Sequence, residues 1–184
     1  MELHKIIQSR RSAKKFSEKK PDWREILECI DSIRYAPMAG NNFTLKVILV
    51  DDKDSINKIA ESAQQPFISQ AHYLLVVYSN NIRTTTSFGK RGKIYSRQQA
   101  GAAIQNFLLK IKEKKLSTCW VGHFVDNQIK RELKIPENSD IEAIFPIGYE
   151  SEKGKSKRKI ELDSFLYFNK HGNKKMKNPK QLSD

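Results

Sequence analysis

A chain of 184 residues, 38% hydrophobic and 30% charged, is long and apolar enough for one domain with a proper core, which excludes a wholly disordered protein. The formal charge of +13 would ordinarily point to nucleic acid, yet the lysines are scattered along the chain rather than gathered with aromatics on one face; no nucleic acid partner is expected. No run approaches about 18 consecutive apolar residues, and Met1-Glu2-Leu3-His4-Lys5 is no secretory leader, so no membrane partner and a cytoplasmic location are expected.

In chain order, Leu3, Ile6 and Ile7 give an apolar face to a first helix that ends at Arg10-Arg11-Ser12. Two guanidiniums and a hydroxyl in sequence form a set of donors whose geometry fits a phosphate dianion. Pro21, Asp22 and Glu25 mark a second helix start, and Trp23, Ile26, Leu27, Ile30 and Ile33 recur at helical spacing up to Tyr35, as in a core helix. Pro37 stops it, and Gly40 in Ala36-Pro37-Met38-Ala39-Gly40-Asn41 permits a tight loop that could approach a flat ligand. Leu45–Val50 reads as a buried strand, Ile56–Ala63 as a helix and Tyr73–Tyr78 as a second strand. No glycine-rich loop follows the first strand, so a Rossmann dinucleotide fingerprint is absent.

Asn80–Lys93 is polar, basic and without periodicity, and reads as a long surface loop. From Arg97 to Lys115, Ala100, Ile104, Phe107, Leu108 and Ile111 share a helix face, and Gly101-Ala102-Ala103 suits close packing against another helix. Cys119 and Trp120 read as strand core, and Cys29 as helix core. With no Cys-x-x-Cys and no His at metal spacing, neither a metal site nor a disulfide framework is expected. A short helix from Asn127 to Leu133 precedes a strand ending Ile144-Phe145-Pro146-Ile147-Gly148-Tyr149. The basic run 152–159, an apolar stretch from Ile160 to Phe168 and a polar tail close the chain.

Several of these stretches, in order, resemble the nitroreductase family, whose members hold FMN. Ile6–Phe16, with Arg10-Arg11-Ser12-Ala13-Lys14, is similar to its N-terminal signature, Ala36–Asn41 to its second flavin motif, and Pro146-Ile147-Gly148-Tyr149 to its third. Ala100–Leu109 resembles its central helix, and Leu116–Gly122 its Gly-Leu-Gly-Thr-Cys-Trp-Ile-Gly segment, with Lys115 and Ser117 in place of glycines. Met38, Phe43 and Thr44 also depart from the family's residues.

The alternation of strands and helices alone predicts a three-layer α/β domain. The resemblance implies instead an α+β three-layer sandwich, a mixed sheet flanked by helices, forming a homodimer with a C-terminal extension able to swap onto the partner. It implies one FMN-binding domain over residues 1–168 and a basic tail over 169–184. Arg10, Arg11, Ser12, Lys14, Pro37, Met38, Asn41, Pro146, Ile147, Gly148, Lys157 and Arg158 are then the cofactor residues. Lys157 and Arg158 would close the phosphate site, and the Ile147–Gly148 backbone would face the flavin edge. The implied activity is hydride transfer from NAD(P)H through FMN to a small organic acceptor such as a nitroaromatic or quinone. Since the four His are dispersed and no Ser/His/Asp set is present, the cofactor carries the chemistry and no catalytic side chain is expected. A specialised or low-turnover flavin-binding protein, and a basic nucleic-acid module, are the alternatives.

Overall fold

A four-stranded sheet forms the middle layer, with helices on both of its faces. The computed structural model describes residues 2–152, 154 and 158–176. Strands β1 (Leu45–Val50), β2 (Tyr73–Ser79), β3 (Ser117–Thr118) and β4 (Asp140–Gly148) lie in the order β1-β2-β4-β3. Leu45 stands opposite Ser79, Leu75 opposite Phe145 and Thr118 opposite Ile147. All strand pairings among the described residues are antiparallel, which narrows the expected mixed sheet to an antiparallel one within this chain.

Strand β2 is apolar on both faces because both are covered. Side chains alternate along a strand, so Leu75 and Val77 pack with helices α2 (Trp23–Asp31) and α5 (Arg91–Glu113), through Ile26, Ile104 and Phe107. Leu74 and Val76 pack on the opposite side with α3 (Lys53–Ser62) and α6 (Asp126–Leu133), through Ile56, Ile59 and Ile129. The result is the three-layer α+β sandwich. Aspartates start two of these helices: Asp22 accepts from Arg24 N at 2.9 Å and Asp52 from Ser55 N at 2.8 Å.

Three expectations are corrected. Asn80–Lys93 is not a loop: α4 spans Ile82–Phe88 and α5 begins at Arg91. The Thr84-Thr85-Thr86 run hides the helix from propensity, but Asn80 Oδ1 accepts from Ile82 N at 3.2 Å, and Thr84 is buried against α5. Trp23 and Leu27 are 46% and 44% exposed, so the apolar stripe of α2 is wider than the face the sheet covers. Trp120 is likewise 42% exposed: β3 ends at Thr118, and the indole meets Phe145 edge-on, 5.7 Å between centroids.

The turn after α5 survives the loss of its glycine. Lys115 adopts φ +60°, and Leu116 N bonds to Ile111 O at 3.0 Å, a helix end of the kind glycine usually makes. A side chain in this left-handed region costs about 1–2 kcal/mol. Lys115→Gly is therefore expected to stabilise the fold by about 1 kcal/mol, read from the urea midpoint; an unchanged or lower midpoint would show that the turn carries no strain.

The described chain falls into two compact units, residues 1–154 and 155–184. In the second, Phe168 and Asn173 bond to each other and the Lys174 ammonium lies 4.0 Å from the centre of the Tyr167 ring. Ile160, Leu162 and Phe165 are exposed. Among the described residues no helix is long and apolar enough to cross a membrane.

Candidate functional site

The helix α1 (Leu3–Ser9) stops at Arg10, whose N–H bonds to Ile6 O at 3.0 Å, and the chain then runs extended. Segment 13–17 docks on the far end of the sheet. Ala13 N donates to Thr118 O at 3.0 Å, Ser17 N to Tyr149 O at 2.8 Å, and Ser151 N to Lys15 O at 3.2 Å. Phe16, nearly buried, lies against Gly148: a Cβ built on Gly148 would stand 2.9 Å from its Cδ1. The room left by the missing Cβ is thus taken by Phe16, a ring within the chain, on that side of Gly148. Pro146, Ile147 and Gly148 are all buried.

These contacts bring Arg11 to Glu150. Arg11 Nε donates to Glu150 Oε1 at 3.3 Å and Arg11 Nη2 donates to Glu150 Oε2, a two-toothed pair. The carboxylate is 11% exposed and also accepts from Gly154 N. Burial pushes the Glu150 carboxyl up, but the Arg11 hydrogen bond and charge together with the Gly154 N–H outweigh it and hold it below the usual carboxylate range. The same hydrogen bond raises the Arg11 guanidinium above its ordinary value.

Arg10 is half-buried and has no carboxylate partner among the described residues. It opens, with Arg11, on a small pocket walled by Leu108 and Leu116. Ser12 is exposed; the Cys119 thiol donates to Trp120 O at 3.7 Å, and burial raises it above its ordinary value. Lys14, also exposed, places its ammonium 5.4 Å from the centre of the Phe67 ring.

The loop of Pro37, Met38 and Asn41 belongs elsewhere on the molecule. Gly40 and Asn41 adopt φ +58° and +56°, and a Cβ on Gly40 would lie 3.0 Å from the Phe88 ring. A buried polar network pins the loop's exit: Thr44 N and Oγ1 donate to Gln99 Oε1 at 2.9 and 2.6 Å, Ser96 Oγ to Thr44 Oγ1 at 2.9 Å, and Gln99 Nε2 to Asn42 O at 3.2 Å. Thr44, a departure from the family's pattern, is therefore satisfied by Gln99. Along α5, Gln99 precedes the pocket-lining Ile111 by twelve residues, or about 18 Å. One chain does not bring this loop to Arg10.

Lys157 lies outside the described residues. Arg158 is in the second unit, exposed, with Nη2 at 3.6 Å from Glu161. Sequence reasoning missed Glu150, Gln99 and the polar members of the Arg10 pocket other than the arginines. Thr44, the partner of Gln99, stands out in the sequence as a departure from the family's residues, which does not reveal its buried partner. Among the described residues, no group of three or more His, Cys, Asp and Glu could hold a metal ion.

The Nitroreductase family model matches residues 7–65 and 60–149. A protein of Methanocaldococcus jannaschii named as a nitroreductase is 33% identical over 103 residues, which make up 55% of this chain and 51% of that protein; the chain aligns with about half of its length. A nitroreductase family protein from Clostridium novyi NT superposes with a TM-score of 0.75 at 28% identity, covering 94% of this chain and 96% of that one. The NADPH:FMN oxidoreductase from Vibrio harveyi complexed with NAD+ superposes at 0.82 and 19% identity, over 92% and 77%.

Proposed function

The chain belongs to the nitroreductase family, and we propose that it is an FMN-dependent oxidoreductase that takes hydride from NAD(P)H and passes the electrons to a small organic acceptor, a nitroaromatic, a quinone or a similar compound. The observation that carries this reading is the convergence of segment 10–17 with Thr118 and Gly148–Glu150, stretches more than 100 residues apart that carry the first motif, the Thr-Cys-Trp segment and the third motif.

The donor set fits FMN's phosphate end. Arg10 is a half-buried guanidinium without a carboxylate partner among the described residues, and a phosphate ester is the anion its fork suits. Arg11, already paired with Glu150, holds the wall of the pocket, and Ser12 and Lys14 stand exposed beside it. When bound, FMN supplies the two-electron chemistry between nicotinamide and acceptor. The side chains offer no substitute: burial pushes the Cys29 thiol up to about 12 and raises Cys119, so neither is a ready nucleophile. The protein's work is to bind, orient and exclude water. Lys157 and Arg158 remain the proposed C-terminal closure of the phosphate site, and the Ile147–Gly148 backbone the proposed contact with the flavin edge.

The working unit is a homodimer. The exit of the Pro37–Asn41 loop is pinned at Gln99, about 18 Å along α5 from Ile111 of the Arg10 pocket, so a second copy is the source from which this loop can join the first copy's phosphate pocket. A Cβ on Gly101 of α5 would meet open space, and Trp23, Leu27, Ile160 and Phe165 leave more apolar surface exposed than a monomer needs.

The purified protein is expected to be yellow, to release FMN rather than FAD on denaturation, to bleach anaerobically with NADH or NADPH and to scatter light as a dimer. A protein that stays colourless after FMN is added would end this reading, and a flavin-loaded monomer would end its dimeric form.

A further inference from the structure

Besides Glu150 and Ser117, the pocket at Arg10 and Arg11 is lined by two further polar residues to which the sequence assigns no binding role. One is Lys112, on the last turn of α5, half-buried and lining the same space. The other is Thr118, 4% exposed, whose Oγ1 has no hydrogen-bond partner among the described residues. A buried hydroxyl left without a partner is costly in a fold that satisfies almost all others, which makes it a mark of a missing ligand or water.

The charges point to what is missing. Arg10, Arg11 and Lys112 bring three positive charges to the pocket and Glu150 one negative, a net of two. That matches the dianion of a phosphate monoester. Because Glu150 already neutralises Arg11, Arg10 alone would leave a dianion half-compensated, and Lys112 is the remaining cation in the lining. Its ammonium is near enough for its charge to help hold the Glu150 carboxyl below the usual range. The pocket's volume, about 20 Å³, admits a single oxygen atom. Apolar walls from Leu108, Ile111 and Leu116 keep the local dielectric low, which strengthens each of these attractions.

Resting on the flavin reading above, we infer that Lys112 and Thr118 are phosphate-binding residues of this site: Lys112 supplies the second uncompensated cation beside Arg10, and Thr118 donates its free hydroxyl to one phosphate oxygen. The pocket thereby selects phosphorylated flavin over the free vitamin.

The test titrates the full-length apoprotein with FMN and, in parallel, with riboflavin, following flavin fluorescence. The wild type is expected to prefer FMN. Lys112→Gln should weaken FMN binding about ten- to a hundredfold, the range for a charge-assisted bond, with riboflavin affinity unchanged, and Lys112→Arg should restore most of it. Thr118→Val should weaken FMN binding about two- to tenfold yet raise the unfolding temperature of the apoprotein, since the unsatisfied hydroxyl is replaced by a methyl of similar shape. Opposite signs in those two readouts are not produced by a merely structural role. FMN affinity unchanged in Lys112→Gln, or lost in step with riboflavin affinity, would overturn the inference while leaving the flavin reading standing. A wild-type protein that binds neither flavin would overturn both.

Discussion

Arg10→Ala is expected to weaken FMN binding by about ten- to a hundredfold with little change in stability, whereas Arg11→Ala should weaken both the cofactor and the fold. The two neighbours differ because Glu150 pairs with one of them only. Removing Arg11 leaves a carboxylate that is 11% exposed with the Gly154 N–H as its remaining hydrogen bond, a desolvation penalty of about 1–3 kcal/mol. The loss has a definite pH dependence. The folded-state pKa of Glu150 lies below its ordinary value, so the pair contributes stability above the ordinary carboxylate range and loses it as pH falls through the folded value. The gap between wild type and Arg11→Ala should therefore be wide at neutral pH and close below about pH 4. Urea unfolding at both pH values checks it, together with FMN titration. Equal stabilities at neutral pH would show that the Arg11–Glu150 pair does not hold the segment down, and unchanged FMN affinity in Arg10→Ala would return that guanidinium to solvent.

The largest loss of stability is expected at Gly92. A Cβ there would stand 2.2 Å from Thr84 O, 2.4 Å from Thr84 C and 2.5 Å from Thr85 N. All three are backbone atoms and cannot turn aside as a side chain would. Gly92→Ala must push α4 bodily off α5, exposing Thr84 and opening the seat of Phe88 against Gly40 and the Tyr95 ring. Overpacking of this kind costs about 3 kcal/mol, which in a chain of this length lowers the melting temperature by roughly 6–12 °C. Calorimetry reads it, and an unshifted melting temperature would mean that α4 does not rest on Gly92.

Where the signal was local, the sequence was legible. Strand β1 falls on the residues its β-branched run predicts, Leu45–Val50, and α6 begins within one residue of expectation. Both faces of β2 are apolar, which predicts a buried strand whatever its partners. The misreadings share a cause. Helix α4 is held by a backbone contact with one glycine, and the exposure of Trp23, Leu27 and Trp120 depends on where neighbouring elements end; neither is encoded in a window of ten residues. The site divides in the same way. Arg10 and Arg11 stand out as a dipeptide, but Lys112 and Glu150 are two more charges in a chain rich in them until the fold brings them together. Asn41 was legible as a motif residue, and its distance from Arg10 was not.

Arg11 and Glu150 are 139 residues apart. On a ribosome adding about 5–20 residues per second, the arginine waits about 7–28 s for its carboxylate to be made. For most of that interval the N-terminal segment has neither Thr118 nor Tyr149 to lie against, so the pocket at Arg10 cannot exist on the nascent chain until almost all of the first unit has emerged.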